Sequence, residues 1–264
     1  MTQPVPGRTQ GWLLDGTVRY DQLADGYRTG IEPVLLAAFI PARPGQRVLE
    51  AGCGAGAALL CLAARVPGVV GLGIERNPDL AALAAANAAA NPFATGLQFR
   101  EAAIEPQTAA SLGGPFHHAM ANPPWHDAGG TPSAIRGRRE AKIASGHLLA
   151  TWVATLAACL EPGGSLTLIL PASQLAAAIP ACAGNRIGSL ILHPFWPRPG
   201  RPAKLCLLRG RRFGKGATQL LPGLVLHGEG ATYTPAADRV LRGGRALPDG
   251  APDQPAAAPS APAT

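Results

Sequence analysis

Two short stretches of this sequence carry residue types and spacings able to do chemistry. The first is Glu50-Ala51-Gly52-Cys53-Gly54-Ala55-Gly56: an acid, then three glycines at alternate positions. Glycine is needed where a backbone must turn sharply and lie against a ligand with no Cβ in the way. A second acid, Glu75, with Arg76 beside it, closes the next apolar run, Val69 to Ile74. The spacing is not the dinucleotide fingerprint, whose third glycine would fall at Ala57, and it lacks the Lys-Ser/Thr ending of a P-loop. Two acids around free backbone N–H groups suit a cationic, ribose-bearing ligand, with Glu75 accepting from the ribose hydroxyls. The second stretch is Asn122-Pro123-Pro124-Trp125. The Asn122 side-chain oxygen and the Pro123 carbonyl are two acceptors, and the prolines fix the backbone that aims them. Trp125 offers a flat face on which a planar group can stack. Two acceptors on the two hydrogens of a delocalised NH₂ favour a pyramidal nitrogen and free its lone pair for attack. His126 and Asp127 follow and could take up the proton afterwards. A glycine cluster is also a common turn and N-P a common loop opener, so placement in the fold decides between the readings.

The elements that must position these residues alternate along the chain. Strands are predicted at about 47–51, 69–75, 97–101, 117–121 and 165–170, with helices at about 57–65, 78–90, 147–160 and 172–183. A weaker helix is expected after the third strand, and a long polar loop over about 126–144. Two further strands, about 187–193 and 203–209, are joined without a helix and should be antiparallel to one another. This order predicts an α/β fold with a mostly parallel sheet covered on both faces. Ligands in such sheets lie outside the carboxyl ends of the strands, where both stretches fall. Ahead of this core, Asp15-Gly16 closes a hairpin over 11–22, and a helix runs from Pro33 to Ile40. The chain divides into an N-terminal hairpin and lid helix (1–45), a core (46–215), a C-terminal appendage (216–247) and a Pro/Ala-rich tail (248–264) that reads as disordered.

Composition bounds the rest. With 264 residues, 47% hydrophobic and 15% charged, the chain suits one full α/β domain with appendages. A net charge of +7 favours a polyanionic partner. Arg136, Arg138, Arg139 and Lys142 follow the Asn-Pro-Pro-Trp stretch; Arg198, Arg201, Lys204, Arg209, Arg211, Arg212 and Lys215 form a second cluster. Charge runs are usually solvated faces, but near a site mouth they would supply salt-dependent phosphate contacts. There is no signal-like start, no apolar run of about 18 residues, and five cysteines without a C-x-x-C pair. The expectation is a cytoplasmic chain with reduced thiols, no metal and no membrane partner. Oligomeric state is not legible.

The pattern E-x-G-x-G-x-G resembles the S-adenosylmethionine loop of class I methyltransferases. Together with Tyr27-Arg28-Thr29-Gly30-Ile31-Glu32-Pro33-Val34-Leu35-Leu36-Ala37-Ala38-Phe39, Asn122-Pro123-Pro124-Trp125 and Leu192 to Lys204, it resembles the bacterial tRNA (adenine-N6-)-methyltransferase family acting on valine tRNA, over roughly 11–245. The resemblance implies a seven-stranded, Rossmann-like sheet of order 3-2-1-4-5-7-6. It implies cofactor contacts from Glu50, Gly52, Cys53, Gly54, Gly56, Glu75 and Arg76, near Gly30, and along Glu101-Ala102-Ala103. It also implies target-amine contacts from Asn122, which borders the cofactor, and from Pro123, Pro124 and Trp125. On charge, rather than on the resemblance, Arg136, Arg138, Arg139, Lys142, Arg198, Arg201 and Lys204 are the expected RNA contacts. Two positions depart from the pattern. Trp125 stands where Tyr or Phe is usual, and Ala103 where an Asp would accept from the cofactor's adenine amine; Glu101 or Glu105 could substitute. Two other functions stay open: a glutamine-N5 protein methyltransferase, although only about 45 residues precede the glycine loop where that family carries a helical domain, and a protein binding S-adenosylmethionine or RNA without turnover.

Overall fold

The computed structural model describes residues 7–25, 28–124 and 135–248, the stretch 135–146 by its backbone alone. The chain opens with four two-residue strands, β1 (Arg8–Thr9), β2 (Trp12–Leu13), β3 (Val18–Arg19) and β4 (Gln22–Leu23), then α1 (Glu32–Phe39). The core follows as β5 (Arg47–Ala51), α2 (Ala57–Arg65), β6 (Val70–Glu75), α3 (Pro78–Ala89), β7 (Leu97–Glu101), α4 (Thr108–Ser111) and β8 (Phe116–Ala121). It continues with α5 (Ile135–Cys159), β9 (Leu160–Pro171), α6 (Leu175–Gly184), β10 (Ile187–Trp196) and β11 (Leu205–Arg212). Last come β12 (Gln219–Leu220), β13 (Leu224–Val225) and α7 (Pro235–Leu241).

One sheet organises the molecule, in the order β12-β10-β11-β9-β8-β5-β6-β7 with β13 also on β10. β7-β6-β5-β8-β9 are parallel neighbours, and β11 runs antiparallel between β9 and β10. This is the order 3-2-1-4-5-7-6 of a class I methyltransferase sheet. It carries nine strands rather than seven, because residues 219–225 of the expected appendage pair parallel with β10. A second correction concerns α5. It begins at Ile135, so Arg136, Arg138, Arg139 and Lys142 lie on a helix rather than in a loop. The helix periodicity is masked there by a run of charges interrupted by Gly137.

The period of two along each strand separates two apolar layers. Val48, Met120, Ile169 and Leu207 face α1, α2 and α7; Leu49, Ala51, Leu72, Ile74 and Leu168 face α5 and α6. Gly71 and Gly73 in β6 alternate with Leu72 and Ile74. A Cβ at Gly73 would stand 2.5 Å from Phe99 and 2.9 Å from Cys53 Sγ, so this strand must carry glycine for its neighbours to pack. Arg209, assigned from sequence to the basic surface, is instead buried at 5% exposure. Its Nη1 donates to the Phe39 carbonyl at 3.0 Å and its guanidinium lies 4.4 Å above the Phe39 ring, clamping the end of α1 to the sheet. All five thiols are buried.

Candidate active site

The two acids of the glycine stretch converge at the carboxyl ends of β5 and β6. Glu50 shares the face of Val48, under α2, and its Oε2 accepts the Leu59 amide at 3.1 Å. Glu75 Oε2 accepts the Gly54 amide at 3.0 Å and its Oε1 accepts the Asn77 amide at 2.9 Å. The second acid therefore shapes the glycine loop itself, a role invisible in the spacing. Gly52, Gly54 and Gly56 all have positive φ (63°, 54° and 90°), the left-handed region that side chains disfavour. A Cβ at Gly54 would meet nothing within 4 Å, whereas one at Gly52 would meet the Trp152 ring of α5 at 2.6 Å. Cys53 is buried and donates its amide to the Ile74 carbonyl, tying the loop to β6.

Burial pushes the Glu50 carboxyl up to about 8, with Glu75 adding to the rise and the Leu59 amide opposing it. The folded chain thus holds this proton where the unfolded chain releases it. That stability is present below about pH 4.5 and is lost as pH rises through about 8. Thermal melts of the unliganded protein should show a declining melting temperature across this window, and Glu50→Gln should flatten the slope. A slope unaltered by Glu50→Gln would remove the titration from this residue.

Asn122, Pro123 and Pro124 leave the end of β8. Ala51 pairs with Ala121 in the parallel register, which sets Asn122 beside Gly52 at the mouth of the glycine loop. Asn122 is half-buried, Pro123 buried and Pro124 exposed. Trp125, His126 and Asp127 lie outside the described residues, as do the side chains of Arg136, Arg138, Arg139 and Lys142. Glu101 ends β7 in register with Glu75 and is exposed; Arg76, in the following turn, is exposed as well. The Ala102 amide donates to the Glu75 carbonyl at 2.9 Å, and the Ala103 carbonyl accepts from Thr108 Oγ1 at 2.9 Å. Glu105 is taken up by Gln107 Nε2. Gly30 lies against the Glu32 carboxylate, which leaves no room there for a Cβ.

Sequence reasoning missed four residues that build this site. Asn87 lies on α3 and Asn91 just beyond its end, where Asn91 Nδ2 donates to the Asn87 carbonyl at 2.8 Å. Asn87 Nδ2 donates to the carbonyls of Asp21 and Ala55, both at 3.0 Å, and its Oδ1 accepts the Asp21 amide. Asn91 treats both backbone groups of Arg19 in the same way. The pair fastens the N-terminal segment to the glycine loop; two asparagines four apart in an otherwise alanine-rich stretch were the available signal. Trp152 buttresses Gly52, and Glu32 Oε2 is a buried acceptor with no hydrogen-bond partner among the described residues. No His/Cys/Asp/Glu group able to hold a metal occurs among the described residues. No described helix is long and apolar enough to cross a membrane.

The second basic cluster divides. Arg198, Arg201 and Lys204 lie exposed in the β10–β11 loop, at the same end of the sheet as the glycine loop, where the Lys204 carbonyl accepts the Ala172 amide following β9. Leu205 pairs with Pro171 and Arg211 with Ser165, so Arg211, Arg212 and Lys215 fall toward the opposite end. β11 crosses the sheet between the two groups, so a charge run continuous in sequence ends at both poles.

These features fit a cationic nucleoside cofactor: carboxylates at 50 and 75, a loop of left-handed glycines, and open space over Gly54. No family model matches the chain. A tRNA1(Val) (adenine(37)-N6)-methyltransferase from Aeromonas hydrophila subsp. hydrophila is 28% identical over 234 residues, 86% of this chain and 94% of that protein. One from Cronobacter sakazakii is 31% identical over 180 residues, 66% of this chain and 71% of that protein. Among solved structures, a protein described as a predicted O-methyltransferase from Agrobacterium tumefaciens superposes with a TM-score of 0.66 at 28% identity, over 81% of this chain and 97% of that one. With the sheet order and the glycine loop, these likenesses place the chain in the tRNA1(Val) (adenine(37)-N6)-methyltransferase family, as an S-adenosyl-L-methionine-dependent methyltransferase.

Proposed function

We propose that this chain methylates the exocyclic N6 of an adenine in tRNA, with Asn122 and the Pro123 carbonyl as the acceptors that hold the amine. The observation that carries the reading is the β5–β8 register, Ala51 opposite Ala121, which brings Asn122 alongside Gly52. When bound, S-adenosyl-L-methionine supplies an electrophilic methyl group on a sulfonium. Glu50, Gly52, Cys53, Gly54 and Gly56 would hold it, Glu75 accepting from its ribose and Arg76 flanking the turn. With Ala103 lacking a carboxylate, Glu101 is the better placed of the two candidate acids, because it sits in register with Glu75 while Glu105 is engaged by Gln107.

What the chain's own groups contribute is position and polarity. Two acceptors draw the amine hydrogens out of the ring plane and expose the lone pair, and no strong base is needed before attack. Trp125 would stack on the base. Residues up to 45 would act as a lid, fastened by Asn87 and Asn91. Arg198, Arg201 and Lys204, with Arg136, Arg138, Arg139 and Lys142 on α5, would bind phosphates around an unstacked target.

Incubating purified protein and S-adenosylmethionine with tRNA from a strain deleted for this gene should yield N6-methyladenosine on nucleoside mass spectrometry. Methylated glutamine in a protein, or no methylated nucleoside at all, would overturn the reading. Glu75→Ala should weaken S-adenosylmethionine binding by roughly 10- to 100-fold in calorimetric titration, since a charge-assisted hydrogen bond is worth about 1.5–3 kcal/mol. An unchanged affinity would remove Glu75 from the cofactor site.

A further inference from the structure

At the end of the sheet away from the glycine loop, the chain builds a second feature that the methyl-transfer site does not use. Phe213 follows β11 with its ring 43% exposed, one of few large apolar side chains left in solvent. The guanidinium of Arg212 lies 5.0 Å from its ring centre and that of Arg186 lies 5.8 Å away. Arg211 is held upright by donating Nη1 to the Gly163 carbonyl at 3.2 Å, and Lys215 is exposed two residues beyond the ring. Glu161, the second residue of β9, lies two residues before Gly163.

The backbone that presents this group is held in a disfavoured conformation. Arg186, Ser189 and Phe213 are three non-glycine residues with positive φ (57°, 50° and 59°), gathered where β10 begins and β11 ends. Phe213 donates its amide to the Arg186 carbonyl at 2.7 Å, and Ser189 Oγ accepts the Gly216 amide at 2.7 Å. A bulky aromatic in the left-handed region is a true outlier, and such outliers gather at sites where the geometry is used. An aromatic ring beside stackable guanidinium planes, ringed by positive charge, is the arrangement that binds unpaired bases and their phosphates.

We infer that Phe213, with Arg186, Arg211, Arg212 and Lys215, forms a second RNA-contact surface, engaging a part of the tRNA remote from the methylated adenine. β11 spans eight residues from Leu205 to Arg212, so the two surfaces stand roughly 20–25 Å apart along the strand direction. The inference rests on tRNA being the substrate; only an RNA with an extended body can touch both ends at once. Stacking there is sequence-tolerant and adds affinity rather than chemistry.

The test measures tRNA binding separately from methylation. Phe213→Asn suits the left-handed backbone and removes only the ring; the triple variant Arg186→Gln, Arg211→Gln, Lys215→Gln removes charge. Both should melt and bind S-adenosylmethionine like the parent. Phe213→Asn should weaken full-length tRNA binding roughly tenfold. The triple variant should also lower the slope of log affinity against log salt by about 2–3. In both, KM for tRNA should rise while kcat holds. Unchanged tRNA affinity and salt slope would overturn the inference, as would loss of binding to phosphatidylserine vesicles with tRNA binding intact. Because binding is read directly, a parent protein that binds tRNA but methylates no adenine would defeat the proposed reaction and leave this surface standing.

Discussion

Replacing Asn122 by alanine is expected to lower the rate of methyl transfer by about 10²–10³-fold while changing S-adenosylmethionine affinity by less than about threefold. The expectation follows from where the residue stands. The register that pairs Ala51 with Ala121 carries Asn122 past the end of the sheet, beside the glycine loop. The contacts that hold that loop come from elsewhere: Glu75 binds the Gly54 amide, Asn87 the Ala55 carbonyl, and Trp152 lies against Gly52. Removing the Asn122 amide therefore takes away one acceptor for the target amine and spares the frame. Asn122→Asp keeps an acceptor oxygen and should retain more activity than Asn122→Ala. Single-turnover transfer to tRNA and calorimetric titration with the cofactor separate the two effects. Loss of both in parallel would mean that Asn122 supports the loop rather than the amine.

Gly52→Ala should be the more damaging of two single methyls added to the glycine loop, at Gly52 and at Gly54. At φ of 63° an alanine costs about 1–2 kcal/mol, and its Cβ would stand 2.6 Å from the Trp152 ring, with overpacking adding about 1–3 kcal/mol. A total near 3 kcal/mol corresponds to a fall of roughly 6–12 °C in melting temperature for a domain of this size. Cofactor affinity should fall at least tenfold as the loop shifts. Gly54→Ala is the control. Its φ of 54° carries a similar backbone cost, but its Cβ meets nothing within 4 Å, so it should melt closer to the parent while still losing cofactor affinity. In a Trp152→Leu background the cost of Gly52→Ala should shrink, because the ring it strikes is gone. Equal costs in both backgrounds would show that the ring gives way freely and that only φ matters.

The sequence by itself determined the strand–glycine–helix unit around residues 47–65, the acids at 50 and 75, the alternation that makes a parallel sheet, and the Asn-Pro-Pro-Trp stretch at a strand end. All of these depend on neighbours within a few residues, where periodicity and glycine or proline chemistry act directly on φ and ψ. Other features depended on which distant segments meet. Glu75 proved to hold the glycine loop from 21 residues away, and Asn87 joined the N-terminal segment to that loop. Arg209 left the basic surface to clamp α1, and one continuous run of basic residues was divided between opposite ends of the sheet by the length of β11. A long-range contact leaves no periodic trace in either segment, since its energy comes from burial and hydrogen bonding that exist only once the layers have packed. That is why the chemistry could be read along the chain and the frame that aims it could not.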